Sequence, residues 1–92
     1  MKKQIEIRDR VALVDQLAAI EHERWAHWQR YMHSKATRLD DGSLLISAEL
    51  VARWEKQIET PYANLTPDER DSDKEQVERY MPLIEQAFER LR

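Results

Sequence analysis

A long helical pattern between about Asp9 and Lys35 constrains the fold more than any other feature of the sequence. Apolar residues recur there three, four or seven positions apart, at Val11, Val14, Ala18, Trp25, Trp28 and Met32. A second row widens the stripe and consists of Leu13, Leu17, Ile20 and Tyr31. These spacings are typical of an amphipathic helix with a broad apolar face. We therefore predict one long helix that buries this face and is capped at its start by Asp9.

The stretch after this helix contains Asp41-Gly42, which includes the only glycine of the chain. An Asp-Gly pair between short apolar flanks, with Leu39 before it and Leu44 after it, favours a tight hairpin. Strands this short are marginal unless they pack on helices. We expect a small β-ribbon around Asp41-Gly42.

Ser47 is a typical N-cap, and Glu49 in the following turn suits the positive end of a helix dipole. These residues predict a second helix over residues 48–59. Its apolar face consists of Leu50, Val51, Trp54 and Ile58. Thr60-Pro61 should end it, because the residue before a proline avoids the helical conformation.

The sharpest local signal is Thr66-Pro67-Asp68-Glu69, which matches a capping box with proline at the first helical position. The third helix that it predicts has an apolar face of Val77, Tyr80, Met81, Ile84, Ala87, Phe88 and Leu91. Pro82 falls inside this helix and removes one backbone hydrogen bond. We expect a kink or a break near Arg79.

These elements define a fold class. The 92 residues suit a single domain over 1–92. One glycine and three prolines leave little turn chemistry for an all-β fold. We predict an all-α protein, a compact bundle of three to four helices with the small ribbon.

Composition also indicates the cellular compartment and excludes some classes of partner. The absence of cysteine excludes disulfides and thiolate chemistry and favours a reducing cytoplasm. No apolar run approaches the roughly 18 residues of a membrane span, so we expect a soluble protein with no membrane association. A net charge of -3 and a pI of about 5.6 disfavour binding to duplex nucleic acid.

His22, Glu23 and His27 resemble the zinc motif H-E-x-x-H with one residue too many. The longer spacing points the two imidazoles about 140° apart around a helix, so they cannot share one ion. We predict no metal site. Glycine-rich phosphate loops and nucleophile elbows are also missing from the sequence, and we expect no catalytic residues, no cofactor and no enzymatic activity.

Aromatic residues are the more informative feature. Trp25, Trp28 and Trp54, with Tyr31 and Tyr62, are a heavy load for a small domain. Basic residues lie between them in the sequence, at Arg24, Arg30, Lys35, Arg38 and Arg53. Aromatic faces beside guanidinium groups suit a base and its phosphate, whereas a small core also uses large side chains to bury area. In both cases we place Trp25 in the core.

Two segments together resemble the RyR domain, the repeat named for ryanodine receptors. His22-Glu23-Arg24-Trp25 is similar to the family's H-x-x-W signature, and residues 60–65, TPYANL, followed by Glu69 and Asp73, are similar to its P-Y-x-x-L segment. The resemblance covers about residues 14–80 and is closest to the small stand-alone versions of phages and bacteria. The family's Gly-Trp segment after the first helix has no counterpart here.

The resemblance implies a non-enzymatic helical binding module that recognises a nucleotide-derived anionic ligand, with Arg24, Trp25 and Tyr62 near one another. The candidate ligand-binding residues are His22, Arg24, Trp28 and Tyr62. The expected core consists of Trp25, Trp54, Leu65, Tyr80 and Phe88. The alternative is a protein-interaction module, such as a phage-encoded factor that docks on a host protein. We also expect a homodimer, formed through the helix that carries Val77, Ile84 and Phe88.

Overall fold

The computed structural model describes residues 4–91. Within that range the chain forms four α-helices, one two-stranded ribbon and one 3-10 turn. The elements are α1 (Ile7–Lys35), β1 (Thr37–Arg38), β2 (Leu44–Leu45), α2 (Ala48–Glu59), the 3-10 turn (Tyr62–Asn64), α3 (Pro67–Val77) and α4 (Met81–Arg90). The predicted all-α class with a small ribbon is confirmed.

Helix α1 begins two residues earlier than the sequence pattern indicates. Glu6 occupies the N-cap position with extended backbone and no side-chain cap, and Arg10 N–H donates to the Glu6 carbonyl at 2.8 Å. Asp9 is therefore in the first turn and is not the cap. Its negative charge still suits that end of the helix dipole.

The ribbon around Asp41-Gly42 is confirmed. Its antiparallel register pairs Thr37 with Leu45 and Arg38 with Leu44. Leu39 N–H donates to the Ser43 carbonyl at 2.8 Å, which closes a loop of three residues between them. Gly42 has a φ of 89°, the left-handed conformation that a three-residue hairpin loop needs at its last position.

The capping residues act as predicted. Ser47 Oγ accepts from Leu50 N–H at 3.2 Å at the start of α2. At α3 the capping box is complete, because Thr66 Oγ1 accepts from Glu69 N–H at 3.2 Å and Glu69 Oε1 accepts from Thr66 N–H at 2.9 Å.

Pro82 splits the last helical region in two, as predicted. Helix α3 ends at Val77, Arg79 lies in the link, and Pro82 occupies the first turn of α4, where its missing N–H costs nothing. Val77 consequently belongs to α3, whereas Ile84 and Phe88 belong to α4. The single helix expected to carry a dimer face through these three residues does not exist.

The helices contact one another at only a few positions. Helix α4 contacts α1, and Leu13, Ala87 and Leu91 line a cleft of about 330 Å³ between their ends. Trp28 of α1 meets Trp54 of α2 edge to face, with ring centroids 5.6 Å apart. Gln57 of α2 donates to Glu69 of α3 at 2.6 Å.

The arrangement is more open than the expected compact bundle. None of residues 4–91 is fully buried. The chain exposes 8026 Å², whereas a folded monomer of this mass exposes roughly 5,700 Å². Its radius of gyration is 18.4 Å, against about 12 Å for a compact domain of this length. The molecule is a slab measuring 59 × 34 × 17 Å.

The expected core residues divide accordingly. Trp54, Leu65 and Tyr80 are half-buried. Trp25 and Phe88 are 56% and 64% exposed, so they are not core residues of the single chain. The physical reason for Trp25 is that α1 carries two apolar rows. The row of Leu13, Leu17 and Ile20 is half-buried, whereas the row that includes Trp25 is exposed.

Candidate functional site

An exposed and mostly apolar row of α1 is the first candidate surface. Its positions alternate four and three residues apart along the helix, and we call them the α1 seam: Ile7, Val11, Val14, Ala18, Glu21, Trp25, Trp28 and Met32. All are exposed except Met32, which is half-buried. Most of these residues belong to the apolar stripe predicted from the sequence, which is expected to face the interior of one chain. The unbroken alternation, with Ile7 and Glu21 included, is the signal that distinguishes a coiled-coil spacing from an ordinary amphipathic helix.

Aromatic rings gather at the C-terminal half of the seam. His22 stacks on Trp25 with centroids 6.0 Å apart. Trp28 stacks on Tyr31 at 5.5 Å, and the ammonium of Lys35 lies 5.5 Å from the centre of the Tyr31 ring. The rings therefore form two groups that are partly open to solvent: His22 with Trp25, and Trp28 with Tyr31 and with Trp54 of α2.

A polar contact interrupts the seam at its centre. Glu21 forms a salt bridge with Arg24, one turn along α1, and also accepts a hydrogen bond from the Tyr80 hydroxyl. The hydrogen bonds from Arg24 and then from Tyr80 lower the pKa of Glu21 to about 2. The pKa of Arg24 is raised in turn, chiefly by its hydrogen bond with Glu21. Arg24, predicted to bind a ligand, is thus engaged within its own helix.

A shallow cleft lies on another side of α1. Its volume is about 320 Å³, and its lining is largely basic: His22, Glu23, Ala26, His27, Arg30 and Arg79. Arg79 comes from the link between α3 and α4, so the cleft joins residues far apart in sequence. Within residues 4–91, no cluster of three or more histidine and carboxylate side chains could hold a metal ion.

The four candidate ligand residues are not gathered at either cleft. His22 lines the basic cleft, whereas Arg24, Trp28 and Tyr62 line neither cleft described here. Tyr62 lies half-exposed in the 3-10 turn. Of the residues that line the basic cleft, only His22 belongs to the predicted site, and both arginines, Arg30 and Arg79, lie outside it. No local pattern could have found Arg79, because only the break at Pro82 brings it to α1.

Arg70 is a further residue with a defined role. Its Nη1 donates to the carbonyls of Ala63 at 3.1 Å and Leu65 at 3.0 Å. The guanidinium therefore fastens the 3-10 turn to α3 and fixes the position of Tyr62.

No protein-family model matches this chain, and the searches of curated proteins and of solved structures find no similar protein. None of the helices within residues 4–91 is long and apolar enough to cross a membrane.

Proposed function

We propose that this chain is a non-enzymatic protein-interaction module whose apolar helix faces are completed by protein partners. The observation that carries the proposal is the exposure of large apolar side chains over a chain in which none of the described residues is fully buried. Monomeric soluble proteins rarely leave extensive apolar surface uncovered, and such surface usually marks a protein interface. No carboxylate among residues 4–91 is buried either, which gives an acid–base mechanism little support.

One part of this surface suits a heterologous protein. Val51 and Ile58 lie seven residues apart and share one face of α2, and Ile58 is 81% exposed. The adjoining helix α3 holds five acidic residues and two basic ones. We propose a partner that presents an apolar patch bordered by lysine or arginine, because complementary charges favour encounter and register.

A photo-cross-linking side chain at position 58 tests this assignment in cells. We expect an adduct with a heterologous protein that is lost when Val51→Asp is added and weakened at high salt. Lys56, on the other side of α2, is the matched control position and should give no such adduct. A helical, soluble chain that gives the same products from positions 56 and 58, or none from either, would contradict the proposal.

A second candidate function rests on the basic cleft. Two arginines and two histidines around about 320 Å³ could hold the phosphate of a nucleotide-derived ligand, because guanidinium groups pair well with phosphate oxygens. Thermal-shift measurement against a nucleotide panel tests it. A ligand at 100 times its dissociation constant should add about 2.7 kcal/mol of stability. The shift should vanish in Arg30→Ala and persist in Arg8→Ala, which changes an exposed arginine of α1 outside the cleft.

A further inference from the structure

We propose that the partner of the α1 seam is a second copy of this chain, bound antiparallel. In the register we propose, Ile7 lies opposite the partner's Met32 and Val11 opposite the partner's Trp28. Val14 then lies opposite the partner's Trp25, and Ala18 opposite the partner's Glu21. The inference rests on the proposed function, which requires protein partners, but it concerns α1 and not the α2 face.

The spacing of the seam supports a helix as the occupant. Alternation of four and three residues keeps side chains on one line along a gently supercoiled helix, the arrangement that inserts into the spaces of a facing helix. The seam runs from Ile7 to Met32, a length of about 38 Å at the rise of an α-helix. That is nearly the whole of α1.

Side-chain volumes favour the antiparallel orientation. Each tryptophan of the seam meets a valine, so these layers combine a large residue with a smaller one and fill space evenly, as close-packed interiors require. In a parallel pair, each residue would face its own copy. The layers of Trp25 and Trp28 would then be overfilled, whereas the layers of Val11 and Val14 would be underfilled. A parallel pair would also place Glu21 against its own copy within an apolar interface.

The centre of the antiparallel pair accommodates Glu21. Opposite it lies Ala18, the smallest residue of the seam, which leaves room for the carboxylate. Its charge is already paired with Arg24 and bonded to Tyr80 within its own chain. An interfacial charge that is paired in this way avoids much of the cost of an isolated one.

The order of residue sizes along the seam favours a second copy as the occupant. A two-fold dimer needs a surface that is complementary to itself, so that each contact occurs twice. In the antiparallel register the smaller residues of the first half of the seam meet the larger residues of the second half, and each contact occurs twice: Val11 with Trp28, Val14 with Trp25 and Ala18 with Glu21. A heterologous helix would not require the two halves of α1 to complement each other.

The exposed area also matches a dimer. The chain exposes 8026 Å², about 2,300 Å² more than a folded monomer of its mass. Obligate dimers bury roughly 1,000–2,500 Å² on each partner. The surface that the whole chain leaves exposed is therefore large enough to supply a dimer interface.

Sedimentation combined with seam variants tests the dimer. We expect the native chain to sediment as a dimer at about 10 μM, and Val14→Asp to raise the dissociation constant by about 100-fold or more, because it buries a charge against the partner's Trp25. Ala19→Asp is the matched control. It adds the same charge to an exposed alanine of α1 away from the seam and should leave the dissociation constant within about 3-fold. A native monomer at 100 μM, or equal effects of the two variants, would overturn the proposal.

Cysteine cross-linking tests the orientation directly, because the native chain contains no cysteine that would compete. A mixture of the single variants Val14→Cys and Trp25→Cys, treated with a short bis-maleimide, should give mainly the mixed adduct. Predominant cross-linking of each variant to itself would show a parallel pair and refute the register. If the chain is monomeric but position 58 still captures a heterologous protein, the dimer is refuted and the proposed function stands. If the chain is a dimer but position 58 captures no heterologous protein, the dimer stands and the heterologous partner of the α2 face is refuted.

Discussion

The Tyr80 hydroxyl donates a hydrogen bond to Glu21 Oε2, and this contact joins the link between α3 and α4 to the middle of α1. The two residues are 59 positions apart in sequence. Glu21 is already paired with Arg24, so the three side chains form one network that orients α4 along α1.

Removal of the Tyr80 hydroxyl should loosen this network. In Tyr80→Phe we expect the pKa of Glu21 to rise from about 2 toward its ordinary value, because the hydrogen bond from the Tyr80 hydroxyl is lost while those from Arg24 remain. Carboxyl chemical shifts followed by NMR across acid pH measure the change. Tyr31→Phe is the control. It removes the hydroxyl of an exposed tyrosine of α1 and should leave the pKa of Glu21 unchanged.

Stability should fall in acid. A group whose pKa is lower in the folded state contributes stability above its unfolded pKa, and that contribution disappears as the pH falls through the folded pKa. For Glu21 the window runs from about 4.5 down to about 2. Glu69, whose pKa is lowered first by the Thr66 N–H, and Asp41, lowered first by the Ser43 hydroxyl, act in the same direction.

Urea unfolding at pH 7, 4 and 3 measures this loss. Glu21→Gln should show a shallower decline than the native chain over the same range. A native chain equally stable at all three pH values would contradict the expected linkage.

The hydroxyl of the N-cap residue Thr66 should contribute more to the stability of the fold than the hydroxyl of Ser72 within α3. Thr66→Ala should lower the free energy of unfolding by about 1 kcal/mol, because it leaves the Glu69 N–H without its acceptor. Ser72→Ala, in the exposed middle of the same helix, is the control and should be neutral or slightly stabilising. If the free energy of unfolding fell equally in both variants, the Thr66 cap would contribute no more to stability than an ordinary exposed hydroxyl.

Arg70 should hold the 3-10 turn in place. In Arg70→Ala we expect faster hydrogen exchange at the amides of Asn64 and Leu65, which close that turn by bonding to Pro61 and Tyr62. The guanidinium fixes the carbonyls of Ala63 and Leu65, so its removal lets the turn open more often. Lys74→Ala, on the same helix, should leave these exchange rates unchanged.

Local features of this fold could be predicted from sequence because the interactions that cause them are local. Ser47, the Thr66–Glu69 capping box, Asp41-Gly42 and Pro82 each act on residues within one turn of themselves, and each element boundary that they imply is present. The Glu21–Arg24 ion pair is equally local. Only the start of α1 differs, because Glu6 precedes it without a side-chain cap.

Long-range placement could not be predicted in the same way. Periodicity shows that α1 has apolar faces but not what covers each of them, so Trp25 was assigned to a core that the single chain does not form. Arg79 reaches the basic cleft only because α3 and α4 diverge at Pro82. The sequence pattern predicts that break, but it does not predict the direction in which the chain continues.

The 17 Å thickness of the slab has a consequence for the cell. Packed helices lie about 8–10 Å apart, so the slab is no more than two helices deep, and none of residues 4–91 is fully buried in it. Copies that have not met a partner therefore remain recognisable to chaperones and proteases in the way that unfolded chains are. We expect the steady-state abundance of this protein to be set by the supply of its partners and only weakly by its own rate of synthesis.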